Sequence, residues 1–106
     1  MDWPNLIKTA SARVTPYIRQ TPVVTFETRT VTQPVTLKLE QLQHAGSFKT
    51  RGAFNTLLGT EPPAAGLVAA SGGNHGAAVA YAAQRLGFPA RVYVPEIAGP
   101  AKISLI

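Results

Sequence analysis

The chain has no cysteine, which excludes a disulfide framework, a thiolate zinc site and a cysteine nucleophile, and suits a reducing compartment. Acidic residues are scarce as well: five Asp+Glu stand against ten Lys+Arg in 106 residues, a net charge of +5. Yet the cations are spread along the whole chain, and no aromatic residues interleave with a basic stripe, so no nucleic-acid partner is expected. Such smeared charge suits a small anion better. No basic stretch followed by an apolar core opens the chain, so no secretory signal is read. The longest apolar run, Ala77 to Ala83, falls far short of the ~20 residues a membrane span needs. The expected setting is cytoplasmic, without a membrane partner. Two histidines and no paired-carboxylate pattern give no catalytic metal site.

What is present reads as one globular unit. The length suits a single ordinary domain, and 45% hydrophobic content is too high for a disordered segment. Asp2 predicts an N-cap, with Pro4 in the opening turn and Leu6, Ile7, Ala10 and Val14 on one helical face. Pro22 to Phe26 reads as extended, Thr32-Gln-Pro34 as a turn. Val35 to Glu40 alternates apolar and polar residues, a strand pattern. Ser47 predicts the N-cap of a helix ending near Gly59, and Leu67 to Ala70 a strand buried on both faces. A glycine turn, Ser71 to Gly76, leads into an alanine-rich helix capped by Gly87. Arg91 to Val94 reads as a third strand, and Pro100 to Ile106 as the beginning of a helix. One helix lies between each pair of successive strands. The expected fold class is therefore α/β: an open, parallel, three-layer βαβαβ sheet. Ligands of such sheets bind at the carboxyl ends of the strands, where both unusual clusters of the chain fall.

The first cluster is Ser47-Phe-Lys-Thr-Arg-Gly52. Lys49 and Arg51 fall in the first turn of a helix, where the dipole disfavours cations by about 0.3–1 kcal/mol each at exposed positions. The placement favours the neutral amine of Lys49, its nucleophilic form. The plainer alternative is that both side chains simply reach into solvent. The second cluster is Ser71-Gly-Gly-Asn-His-Gly76. Its glycines allow close backbone approach, and amides at a helix N-terminus can hold an anion such as a carboxylate. Asn74 adds an amide and His75 a titratable ring; the alternative is a solvated turn with Asn74 as the cap. Neither cluster matches G-x-G-x-x-G or a Walker loop, and Ser47 and Lys49 do not face each other on a helix.

Three segments in order carry a resemblance: Leu37-Lys-Leu-Glu-Gln41, then Gly46-Ser-Phe-Lys-Thr-Arg-Gly-Ala53, then Ala70-Ser-Gly-Gly-Asn-His-Gly76 followed by Val79-Ala-Tyr-Ala-Ala83. Together with Arg19-Gln-Thr-Pro22 they resemble the serine/threonine dehydratase family, fold-type II pyridoxal phosphate enzymes that include serine racemase. The resemblance covers the chain from about Ile18 to its end. It implies that Lys49 forms a Schiff base with the cofactor, pyridoxal 5'-phosphate, and later acts as base on the substrate Cα. It places Phe48 beside the pyridine ring and Asn74 on the phenolic oxygen, which tunes the cofactor as an electron sink. Ser71, Asn74 and His75 would hold the substrate carboxylate, together with backbone amides of the turn. The implied activity is that of an ammonia-lyase turning threonine or serine into a 2-keto acid and ammonia.

Two departures from the family pattern matter. Racemases of this family use a serine near the start of the second motif as a second base, and Gly72 stands at the corresponding position. Elimination needs only Lys49, so dehydration is expected over a serine racemase-like reaction; a hydroxyaspartate dehydratase-like activity is a further alternative within the family. The second departure is extent. The family's phosphate loop, the residue facing the pyridine nitrogen, and the divalent-cation ligands lie further along than Ile106. The resemblance thus implies an N-terminal part of a longer enzyme, homo-oligomeric at full length, whose 106 residues alone leave the site incomplete. Residues 1–34 would belong to a larger domain and 35–106 to most of a smaller α/β domain. A binding module without activity is the alternative from another class.

Overall fold

The computed structural model describes all 106 residues. Helix α1 spans Trp3–Val14, with the Asp2 carboxylate accepting the Asn5 N–H at 3.2 Å and Pro4 in its first turn. A 3₁₀ turn with Pro16 at its centre, Thr15–Tyr17, ends it. Strands β1 (Val23–Phe26) and β2 (Val35–Lys38) form an antiparallel hairpin in the register Val23↔Lys38 to Phe26↔Val35. Its register pairs join residues on both sides of position 34. Two 3₁₀ turns, Glu40–Leu42 and His44–Gly46, lead to α2 (Lys49–Leu58). Then follow β3 (Leu67–Ala70), α3 (Asn74–Leu86), β4 (Ala90–Tyr93) and a short α4 (Pro100–Ile103).

The fold is α/β, and β3 and β4 are parallel with α3 between them, in the register Leu67↔Ala90 to Ala70↔Tyr93. The expected three-stranded parallel sheet needs one correction. Strand β2 does not join β3 and β4; it pairs with β1 in a separate two-stranded sheet. The reason is physical. Alternation along residues 35–38 specifies a strand but not its neighbour, and the short loop 27–34 suits an antiparallel hairpin, whereas a parallel pair needs a crossover of a dozen or more residues. β2 also leaves most of its residues exposed, unlike a central strand of a parallel sheet.

The core lies where α2 packs on α3. Phe54, fully buried, meets Ala53, Leu57, Ala78, Ala82 and Val14. Tyr17 stacks on its ring at 5.2 Å between centroids, and Tyr81 meets it edge-on at 6.0 Å. The alanines of α3 leave its core face flat, so α2 can press its larger side chains close against it. At its start α3 also lies tight on the sheet: a Cβ at Gly76 would stand 2.6 Å from the Ser71 carbonyl oxygen and 3.1 Å from Val92 Cγ1. At its end Gly87 takes φ 76°, and Phe88 N–H donates to the Ala83 carbonyl at 2.9 Å, closing the helix with a left-handed residue. No helix is long and apolar enough to cross a membrane. Phe54→Ala should lower unfolding stability by about 3–5 kcal/mol, because the flanking backbones cannot close the void. A urea-melt loss under about 1 kcal/mol would show that Phe54 is not the centre of the core.

Candidate active site

The approach to α2 is held by buried polar side chains. The Gln43 amide accepts the Arg19 N–H and donates to the Arg19 carbonyl, both at 2.8 Å, and also accepts the His44 N–H. Ala45 then takes a positive φ of 56°, which turns the chain into Gly46 and Ser47. Ser47 is extended, and its buried hydroxyl accepts the Lys49 N–H at 3.3 Å. Phe48 already has helical dihedrals, so Ser47 does the capping that the sequence predicts. Thr50, fully buried, donates its hydroxyl to the His44 carbonyl. With Ser47 and Thr50 turned inward, Phe48 and Lys49 are turned outward. The Lys49 ammonium lies 5.2 Å from the centroid of the Phe48 ring.

Arg51 does not reach into solvent from this turn. It grips Glu40 through two parallel bonds, Nε to Oε2 at 2.9 Å and Nη2 to Oε1 at 2.7 Å. Thr21 donates to the same Oε1 at 2.7 Å, and Lys38 Nζ stands 3.8 Å from it. This clamp fastens the first turn of α2 to the segment that leaves the hairpin. The Arg51 bonds hold the Glu40 carboxyl at about 2, against burial, which pushes the other way; the Thr21 bond adds to the lowering. His44 stacks on Tyr81 at 4.8 Å, and its burial, with the charges of Arg19 and Arg85, lowers it from its ordinary value of 6.5.

At the other motif, the Ser71 hydroxyl accepts the Gly73 N–H at 3.2 Å, and Ser71 N–H donates to Tyr93 across the parallel pair. Helix α3 begins at Asn74, three residues before the alanine run, and no side chain caps it. The N–H groups of Asn74, His75 and Gly76 have no acceptor within the chain. Asn74 and His75 themselves are exposed.

A cavity of about 400 Å³ lies between α2 and α3, lined by Phe48, Lys49, Gly52, Thr56, His75 and Val79 among others. It brings together three of the residues singled out in the sequence: Phe48, Lys49 and His75. Ser71 and Asn74 are outside its lining, Asn74 beside His75 in the same turn and Ser71 at the end of β3. Gly52 and Thr56 were not singled out, although they follow Lys49 at helical spacing, the signal by which they could be found. The cavity suits an aromatic aldehyde with acidic groups. It offers an exposed primary amine, an aromatic face beside that amine, and a neighbouring row of unpaired amides.

These features define an α/β chain with an amine-bearing pocket between two helix starts. The sequence profile of the family described as pyridoxal-phosphate dependent enzyme matches residues 14–106. The chain belongs to that family. It is 46% identical over 101 residues to phenylserine dehydratase of Ralstonia pickettii, covering 89% of this chain and 30% of that one. It is 43% identical over 101 residues to a catabolic L-threonine dehydratase of Staphylococcus aureus, covering 91% and 29%. The solved structure of a pyridoxal 5'-phosphate-dependent aspartate racemase superposes with a TM-score of 0.87 at 40% identity, covering 96% of this chain and 34% of that one. The chain thus spans about 30% of the length of these curated relatives.

The clamp predicts an acid dependence. Glu40 titrates at about 2 when folded and near 4.5 in its ordinary state, so its stabilisation is complete above about 4.5 and is lost as pH falls toward 2. His44, lowered when folded, adds a penalty as pH falls below 6.5, where the unfolded imidazole binds a proton more readily. Urea midpoints should be highest near neutrality and fall in these two stages. Glu40→Gln should cost about 1.5–3 kcal/mol at pH 7 and flatten the lower stage; an unchanged lower stage would mean that another carboxylate sets it.

Proposed function

We propose that this chain carries the cofactor-linking lysine and the substrate-carboxylate turn of a dehydratase that converts a β-hydroxy amino acid to a 2-keto acid and ammonia. The observation that carries this reading is the shared cavity of Phe48, Lys49 and His75 beside the uncapped amides of α3. Pyridoxal phosphate, when bound, supplies an aldehyde for the amine and an electron sink for charge developing at the substrate Cα. Lys49 is the residue that would hold it, through Nζ. With that Nζ free, it would be the group that takes the Cα proton. Phe48 would flank the bound ring, and Asn74 would donate its amide to the phenolic oxygen. Ser71, Asn74 and His75, with the free N–H groups at the start of α3, orient the substrate carboxylate as an anion at a helix N-terminus.

Racemisation is the second reading, favoured by the superposition on a racemase. It needs a proton donor on the face opposite Lys49, and Gly72 offers none. Packing supports the glycine there: a Cβ would stand 3.0 Å from Pro95 Cδ and 3.1 Å from Ala98 Cβ. Gly72→Ser should therefore cost about 1–3 kcal/mol in unfolding free energy through overpacking. L/D interconversion by the chain with Gly72 in place would overturn the assignment of position 72 as the deciding difference.

Incubation with pyridoxal phosphate, borohydride trapping and peptide mapping test the reading directly. The label should concentrate on Lys49 over Lys8, Lys38 and Lys102 and vanish in Lys49→Ala. Even labelling of all four lysines would remove the cofactor site. Where Lys49 is labelled, L-threonine, L-serine and phenylserine are assayed for keto acid; release of the D-enantiomer without keto acid would favour the racemase.

A further inference from the structure

A second cavity, of about 340 Å³, opens on a different face of α2 from the Lys49 pocket. Six of its lining residues are Ser11, Thr15, Arg19, Gln20, Lys38 and Arg51, drawn from α1, the turn after it, the segment beyond, β2 and α2. Three are cations, none is acidic, and the remaining three carry hydroxyl or amide groups. Glu40 is the nearest opposing charge, and it is already occupied. Its Oε1 takes bonds from Arg51 and Thr21 and sits 3.8 Å from Lys38 Nζ, so one carboxylate is shared by two cations. The remaining opposition is the carboxyl end of α1, roughly half a negative charge. There the Ser11 carbonyl is engaged by both the N–H and the hydroxyl of Thr15.

Donor capacity is left over. Arg51 Nη1 makes no bond within the chain, and Arg19 uses only Nη1, on the Leu42 carbonyl at 3.1 Å. Lys38 spends one N–H on the Thr21 carbonyl at 3.1 Å. The Ser11 hydroxyl and the Gln20 amide donate to nothing in the chain. We propose that this cavity is an anion site for a phosphate-class oxyanion, free or as a monoester, held by Arg19 and Lys38 with Arg51 fixed between them by Glu40. Guanidinium and ammonium groups supply charge-assisted bonds, and the hydroxyl and amide complete the shell. The site stands independently of the role of Lys49.

The test titrates the full chain with inorganic phosphate at constant ionic strength, following backbone amide shifts by NMR. A parallel titration with glycerol phosphate asks whether an organic phosphate binds more tightly than the free ion; either one binding supports the site. Saturable shifts are expected around Thr15, Arg19, Gln20 and Lys38. Lys38→Gln and Arg19→Gln should each weaken binding about tenfold, the loss of one charge-assisted bond, while Lys8→Gln leaves it unchanged. If one variant does not fold, the other decides. Equal shifts with chloride, equal weakening by Lys8→Gln, or shifts confined to the turn at His75 would each overturn the proposal.

Discussion

The contact on which the rest of this molecule depends is the packing of α2 against the alanine face of α3. Phe54 fills the space between them, with Tyr17 and Tyr81 closing on its ring from two sides. Because Ala78 and Ala82 are fully buried with no side chain beyond Cβ, the helices approach closely enough for their first turns to share a cavity. Lys49 belongs to one helix start and His75 to the other, so their meeting is a consequence of that packing. Neither residue contributes to the core itself. Chemistry-bearing side chains stand on the rigid edge of a contact that small residues define.

A polar frame fixes where α2 begins. Gln43 makes a pair of bonds to the Arg19 backbone, Ser47 caps the helix, and Thr50 ties its first turn to His44. Arg51 completes the frame through Glu40, linking the helix to the hairpin-side segment. Bidentate geometry makes this pair more than an incidental surface contact, since two parallel bonds restrict orientation as well as distance. The same clamp leaves Lys38 and Arg19 at the rim of the second cavity with donors to spare.

Much apolar surface stays outside these contacts. Only 14 of 106 residues are buried, and large side chains such as Trp3, Val68 and Ile97 are largely exposed. Parallel strands normally have both faces covered, yet Val68 on β3 and Tyr93 on β4 are open. These uncovered faces agree with a chain that spans about 30% of the length of its curated relatives.

Local signals were legible because they act within a turn of chain. Asp2 and Ser47 mark helix starts through their own hydroxyl or carboxylate, Gly87 marks an end through its left-handed backbone, and alternation marks residues 35–38 as a strand. The motif containing Phe48 and Lys49 and the one containing His75 could be singled out by residue type and by likeness to a family. What the sequence hid was pairing at a distance. Alternation carried no information about which strand β2 would meet, so its place beside β1 was decided by the loop between them. Helix α3 starts at Asn74 with no capping side chain, because the turn leaving β3 sets its direction. Arg51 read as solvated until the fold brought Glu40 to it, and Gly52, Thr56 and Val79 became pocket lining only when α3 lay on α2. Residue chemistry and backbone preference are written locally; neighbours across the chain are chosen by which arrangement buries Phe54 and satisfies Glu40 together.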